Sequence, residues 1–307
     1  MRIACIDIGT NSIRLLLAVF EDGKFSEVHR ELEMTRLGYK VNETRLLDSE
    51  RMRASVEVID AYYKKAVSFG AESIFMMATS AVRDSKNANM FDAMVKNRTG
   101  QSIDIIPGEL EAEVGFKGVL LGSKTEGNLL IIDIGGGSTE LILGDRTGIK
   151  YAVSLNIGAV RLTGAYVNHD PISCQEVQKL REVVSETISH SIEELLLMPI
   201  DSVVGIGGTA TTYATMVHSV DDYTRDKVHG LYVSLDTLAL QNSKLEKMNN
   251  EDKLHITGLD PKRADIIYAG GIILEELLTA LKIEGYFVSD FDNLEGFSAY
   301  KIELMNS

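Results

Sequence analysis

Two carboxylates in this chain each stand two residues ahead of a turn of glycines and small polar residues, a combination suited to holding an anion. Asp7 and Ile8 lead into Gly9, Thr10, Asn11 and Ser12; Asp133 and Ile134 lead into Gly135, Gly136, Gly137, Ser138 and Thr139. Such turns bring the backbone close to a ligand and aim several N–H groups into one concavity. A carboxylate beside an anion loop makes electrostatic sense with a cation between them, so metal-assisted chemistry on an anion is the expectation. A third segment, "GIGGTATT" (205–212), reads as a strand, a glycine turn and a helix start. There Gly207, Gly208 and Thr209 would offer the unbonded amides of a helix N-terminus to the same kind of ligand. Any one of these segments could be an ordinary hairpin or strand-to-helix turn. Their duplication argues for a ligand.

The elements that must position these residues are themselves repeated. "IDIGTNSIRLLLAV" from Ile6 and "IDIGGGSTELILG" from Ile132 share Asp, Ile, Gly and a serine, then an aliphatic run, and differ in charge at Arg14 against Glu140. Dense β-formers over 2–8 and 13–20 predict a hairpin around Gly9–Ser12, and 128–134 with 139–144 predict its counterpart. The first half continues with a helix over 49–69 ending at Gly70, a strand over 72–78, a helix over 87–98 and a strand over 102–108. A further helix starts after Pro107, a residue suited to a first turn. The second half predicts helices over 173–197, 209–217 and 262–281, a strand and turn over 201–208, a strand over 285–290, and a closing helix. This pattern implies the α/β class, with two domains facing across a central cleft. Their expected extents are 1–124 and 125–291, with the C-terminal helix of about 292–307 a candidate to pack back on the first.

Composition narrows the class of function. A chain of 307 residues with a 45% hydrophobic and 25% charged share is that of a globular protein, long enough for two domains. A net charge of −14 argues against nucleic acid, whose phosphates call for a basic face. No apolar run reaches the ~18–20 residues of a membrane span. Asp7, Asn11 and Arg14 interrupt the N-terminal apolar stretch, so no signal peptide is expected and the cytoplasm is the expected location. Cys5 and Cys174 make neither a disulfide framework nor a zinc spacing. His218, His229 and His255 lack metal-ligand spacing and are expected to be structural or exposed.

The paired hairpins and third glycine turn resemble the actin, Hsp70 and sugar-kinase superfamily, in which two ribonuclease-H-like domains clamp phosphates. Within it, "ATSAVRDSKN" (78–87), "PGELEAEVGFKGV" (107–119), "DIGGGSTEL" (133–141) and "GLDPKRADIIYAGGIIL" (258–274) resemble the exopolyphosphatase and guanosine pentaphosphate phosphohydrolase family. The resemblance runs from the first strand to about residue 290, and the chain looks like that family's short form. It implies that Glu111 is the base that orients the attacking water. It implies that Asp133 and Glu140, with Asp7 facing them, hold Mg²⁺ or Mn²⁺, and that Arg14 binds phosphate. Thr10, Asn11 and Ser12, the run from Gly135 to Thr139, and Gly207, Gly208 and Thr209 would cradle phosphate. Arg83 and Arg36 match family arginines near the phosphate site, with a surface salt bridge as the alternative for each. Arg263 would reach a nucleotide or polyphosphate, or serve as a cap.

The activity expected is release of terminal orthophosphate from inorganic polyphosphate, short chains by preference because of the acidic surface, or from guanosine pentaphosphate. An ATP-dependent kinase of the same superfamily is the enzymatic alternative, and stoichiometric phosphorylated product would reveal it. A non-catalytic regulator binding (p)ppGpp or polyphosphate is the other, and it would have no use for Glu111. A homodimer is a candidate assembly. One stretch departs from the family: "SDFDNLEG" (289–296) has Asp292 and Leu294 where Gly and Arg are expected, which removes a positive group.

Overall fold

The computed structural model describes residues 1–123 and 126–306, with the side chains of Glu27 and Asn42 outside the description. The chain divides into two compact units, Met1–Leu121 with Phe291–Ser307, and Gly122–Asp290. The expected boundary after residue 124 falls on Lys124 and Thr125, which lie outside the described residues.

The first unit is built on β1 (Arg2–Ile8), β2 (Ile13–Glu21), β3 (Lys24–Glu33), β4 (Ser73–Ala78) and β5 (Asp104–Ile105), in the order β3-β2-β1-β4-β5. β1 to β3 form an antiparallel meander, and β4 and β5 add in parallel beyond β1. The second unit contains β6 (Leu129–Ile134), β7 (Thr139–Asp145), β8 (Gly148–Leu155), β9 (Ser202–Ile206), β10 (Tyr232–Ser234) and β11 (Gly285–Val288). Its path β8-β7-β6-β9-β11 repeats that of the first sheet, with β10 added antiparallel at the outer edge. The repeated phrase is therefore a repeated topology.

Alternation along β1 divides its side chains between two cores. Ala4, Ile6 and Ile8 pack with Met52, Val56, Ile59, Phe91 and Val95 from the helices Ser49–Phe69 and Ala88–Thr99. Ile3 and Cys5 pack with Val114, Leu294, Phe297 and Ile302 from the helices Gly108–Gly122 and Asn293–Asn306. Asp7 falls on this second face by the same alternation. Cys5 is fully buried, and burial pushes its thiol far above the usual range, so it behaves as a small hydrophobe. In the second unit Leu130, Ile132 and Ile134 share a core with the helices Cys174–Leu195 and Ile267–Leu281, and Asp133 falls on the opposite face of β6.

Helix ends follow local chemistry. The Asp48 side chain accepts from the N–H groups of Glu50 and Arg51, and Gly70 closes the same helix at φ 77°. Ser173 and Glu176 form a capping box ahead of Cys174–Leu195. Elsewhere the structure differs from the sequence expectation. β5 covers two residues rather than 102–108, and Pro107, which has no N–H to extend the ladder, lies just past its C-terminal end. The helix expected over 262–281 is a 3₁₀ turn at Pro261–Arg263 followed by a helix over Ile267–Leu281. β3, β8 and the helices Ala159–Tyr166 and Leu235–Leu245 carry no sequence expectation. β3 and β8 are edge strands, and "KFSEVHRELE" is polar enough to blunt an edge and hide a strand.

Two glycines fix how the helices Gly108–Gly122 and Asn293–Asn306 approach. A Cβ on Gly296 would lie 1.7 Å from the Val114 carbonyl oxygen, and one on Gly118 would lie 1.9 Å from that of Asp292. Gly296→Ala should force the pair apart and lower stability by about 1–3 kcal/mol or more. Urea unfolding would read this, and an unchanged midpoint would show that the contact is not close-packed.

Candidate functional site

The two hairpin turns have the same internal geometry. The Gly9 N–H donates to the Ser12 carbonyl at 3.0 Å, and the Gly135 N–H donates to that of Ser138 at 3.0 Å. The closing pairs also correspond: Ile8 faces Ile13 and Asp7 faces Arg14, while Ile134 faces Thr139 and Asp133 faces Glu140.

In the first unit the turn is braced from behind. The Thr10 carbonyl accepts from Gly38 N–H (2.8 Å), and the Asn11 carbonyl from Arg36 N–H (2.9 Å). Arg36 holds a left-handed φ of 51°, and a Cβ on Gly38 would lie 2.3 Å from Thr10 Cγ2. The Arg36 backbone, more visibly than its charge, supports the turn. Thr10 Oγ1 also pairs with Ser80 Oγ at 2.9 Å, a partner the sequence pattern does not reveal.

Arg14 sits among carboxylates. Its Nε and Nη2 donate to Asp7 Oδ2 at 2.9 and 2.5 Å, and its Nη1 donates to Asp292 Oδ2 at 2.5 Å. The expected phosphate ligand is thus an ion-pair partner of the expected metal ligand. Arg30 extends the network, with Nη2 donating to Glu295 Oε1 and Nη1 4.0 Å from Asp292 Oδ2. Burial raises the Asp7 pKa above the ordinary carboxylate value, against the opposing charge and hydrogen bonds of Arg14. Burial acts the same way on Asp292, but Arg14, Arg30 and the Leu294 N–H outweigh it and hold that carboxyl below the ordinary value. Asp292 stands out in the sequence only as a departure, and Arg30 and Glu295 give no signal because their partners are distant in the chain.

Glu111 lies in the first turn of Gly108–Gly122 and is 6% exposed, so it is no solvated helix glutamate. Arg83 Nη1 donates to Glu111 Oε2 at 2.8 Å and to the Ile106 carbonyl at 3.0 Å. Two residues assigned separate roles in the sequence therefore form one ion pair.

In the second unit the glycine turn is held by a segment that carried no sequence expectation. Ala159 N–H donates to the Gly135 carbonyl, Arg161 N–H to that of Gly136, and Arg161 Nε to that of Gly137 at 2.6 Å. Gly158 lies so close that a Cβ would meet the Gly136 carbonyl carbon at 2.6 Å. "NIGAVR" (156–161) is legible in hindsight as a glycine immediately before a helix. Thr139 is fully buried and its hydroxyl donates to the Ile157 carbonyl, so it braces the turn. Ser138 is buried beside it.

The third glycine segment joins the second hairpin. The helix begins at Gly207 itself, which places the Gly207, Gly208 and Thr209 amides in its unbonded first turn. Gly207 has φ 74°, and a Cβ there would lie 2.4 Å from Asp133 Oδ1. Thr209 Oγ1 donates to the Ile134 carbonyl at 3.2 Å. The Arg263 guanidinium lies against Gly208, where a Cβ would be 2.0 Å from Nη1.

Asp133 and Glu140 are 8% and 2% exposed and occupy opposite positions on adjacent antiparallel strands, so two carboxylates share one small face. Ser154 Oγ donates to Glu140 Oε1 at 2.6 Å. Like charges so placed are destabilising, and hard oxygen donors of this kind suit a magnesium-like cation. Among the described residues no group of three or more His, Cys, Asp and Glu side chains is placed to hold a metal ion. No helix of the described residues is long and apolar enough to cross a membrane.

The family model that matches residues 16–301 is described as the Ppx/GppA phosphatase family. The chain is 35% identical over 95% of its length to the bifunctional 3-dehydroquinate synthase/phosphatase of Fusobacterium nucleatum subsp. nucleatum, and spans only 45% of that longer protein. It is 33% identical to exopolyphosphatase 2 of Mycobacterium tuberculosis, over 97% of both chains. It is 26% identical to the guanosine-5'-triphosphate,3'-diphosphate pyrophosphatase of Pseudoalteromonas atlantica, over 98% of this chain and 59% of that one. The crystal structure of the Aquifex aeolicus member of the same family superposes with a TM-score of 0.83 at 32% identity, over 100% of this chain and 99% of the other.

Because Arg83 and Glu111 are bonded, removing one leaves the other's charge buried. Arg83→Met should destabilise the protein by on the order of 3 kcal/mol, and adding Glu111→Gln should recover much of that loss. Equal unfolding midpoints in Arg83→Met and the double variant would show that the Glu111 charge left behind carries no cost.

Proposed function

The chain belongs to the Ppx/GppA phosphatase family, and on that premise we propose that it hydrolyses phosphoanhydride bonds, releasing terminal orthophosphate from short inorganic polyphosphate and from guanosine pentaphosphate. The observation that carries the reading is the buried Asp133–Glu140 pair at the mouth of a glycine turn, supported by a buried glutamate held by an arginine. The relatives named for exopolyphosphatase and for guanosine-5'-triphosphate,3'-diphosphate pyrophosphatase activity support the two substrate classes.

In this reading the amides of Gly135–Gly137 and Gly207–Thr209 take the oxygens of the phosphate being transferred. Glu111 accepts a proton from water as the water oxygen attacks the terminal phosphorus. The bond from that phosphorus to the bridging oxygen breaks, and the bridging oxygen leaves on the shortened chain. Arg83 fixes the Glu111 carboxylate through Oε2, so the proton acceptor is already oriented when substrate arrives. Asp133 and Glu140 would hold Mg²⁺ or Mn²⁺, and such an ion would supply neutralisation of the charge that develops on phosphate oxygens. The Arg263 guanidinium lies against Gly208 and in this reading would meet an anion at the helix start.

Glu111→Gln should leave substrate binding nearly intact and cut phosphate release by roughly 10²–10⁴, the usual loss for a general base. Unchanged release would remove Glu111 from the mechanism. Release should also require Mg²⁺ or Mn²⁺, with Asp133→Asn or Glu140→Gln raising the metal concentration needed. Full activity in excess chelator would refute the metal assignment.

A further inference from the structure

The departure at Asp292 becomes intelligible from what it touches. All three nitrogens of Arg14 donate to carboxylates, two of them to Asp7 Oδ2 and the third to Asp292 Oδ2. Asp292 is 5% exposed and stands immediately before the helix Asn293–Asn306, and its other carboxylate oxygen accepts from the Leu294 N–H at 2.9 Å. Its backbone is confined as well, because the Asp292 carbonyl oxygen lies where a Cβ on Gly118 would be. The carboxylate therefore cannot swing away without moving the helix start. Leu294, at the position where an arginine is expected, is buried in the core with Phe297 and Val114. The charge change at these two positions is thus built into the packing. Asp7, for its part, offers only Oδ2 to Arg14, and its Oδ1 is buried with no hydrogen-bond partner.

We propose that Asp292 is a positioning residue for the first hairpin: it holds Arg14 on one oxygen of Asp7, keeps the other available, and reduces the positive charge that the turn shows to a polyanion. The charge effect holds for any anion, and only its kinetic consequence rests on the hydrolase reading. A guanidinium shared between two buried carboxylates is oriented more tightly than one bound to a single partner, since rotation about its long side chain would break both pairs. The same sharing offsets its charge, so Arg14 draws substrate less strongly than an arginine facing the turn alone would.

Asp292→Asn in the full chain tests both effects, because asparagine keeps the shape and the acceptor for Leu294 N–H but not the charge. Removing one negative charge roughly 10 Å from a polyanion should tighten tripolyphosphate binding, measured calorimetrically at low salt, by about tenfold. The gain should shrink at about 0.5 M salt, where screening is strong. With Asp7 less firmly held, kcat should fall about tenfold while KM falls too. If the asparagine variant does not fold, Asp292→Ser retains a helix cap and reads the same binding. A folded variant with unchanged or weaker tripolyphosphate affinity overturns the charge effect, and tighter binding with unchanged kcat overturns the positioning of Asp7. Should the unaltered enzyme release no phosphate while the variant still binds more tightly, the hydrolase reading fails and the charge effect stands. Hydrolysis by the unaltered enzyme, with no change of affinity in the variant, overturns the charge effect and leaves the hydrolase reading standing.

Discussion

A carboxylate buried one cross-strand pair back from a tight turn is the constraint around which both units are arranged. Burying a charge is costly unless something of opposite sign meets it. The two copies meet the requirement differently. In the first, Arg14 faces Asp7 across the ladder, and Asp292 and Arg30 extend the alternation of charge. In the second, Glu140 faces Asp133, which doubles the negative charge on one face. One repeated hairpin geometry thus carries an arginine–carboxylate pair in one copy and two facing carboxylates in the other.

Each turn is shaped by one internal hydrogen bond and braced by a segment from elsewhere in its unit. Arg36 and Gly38 hold the carbonyls of Asn11 and Thr10, while Ala159 and Arg161 hold those of Gly135 to Gly137. These braces engage the carbonyls. With their carbonyls satisfied, the turns keep a fixed backbone, and fixed amides stabilise charge without reorganising when it develops.

Close backbone approach does the rest of the positioning. Gly207 gives Asp133 room to lie against the start of a helix, and Gly118 and Gly296 let two helices touch through their backbones. The second contact sets where Asp292 begins its helix on one side. On the other it anchors the helix whose first turn carries Glu111. A methyl group at either glycine would be felt at both charged residues.

Hydrophobic alternation and turn residues determined much of this protein locally. The two hairpins, their turns, the long helices and the topology they imply were legible because period-two and period-3.6 patterns, Gly70 and the Pro107 start are short-range signals. The glycine turns and the carboxylates before them were legible for the same reason. The edge strands β3 and β8 were not, because an edge is tolerated by polar residues that carry no core-facing pattern. Tertiary structure alone decided which charges meet. Arg83 joins Glu111, Arg14 joins Asp292, and Gly158 packs on Gly136 across separations that no local pattern encodes. The reason is physical: an ion pair or a backbone contact depends on the path of the whole sheet, while a turn depends only on its own few dihedral angles.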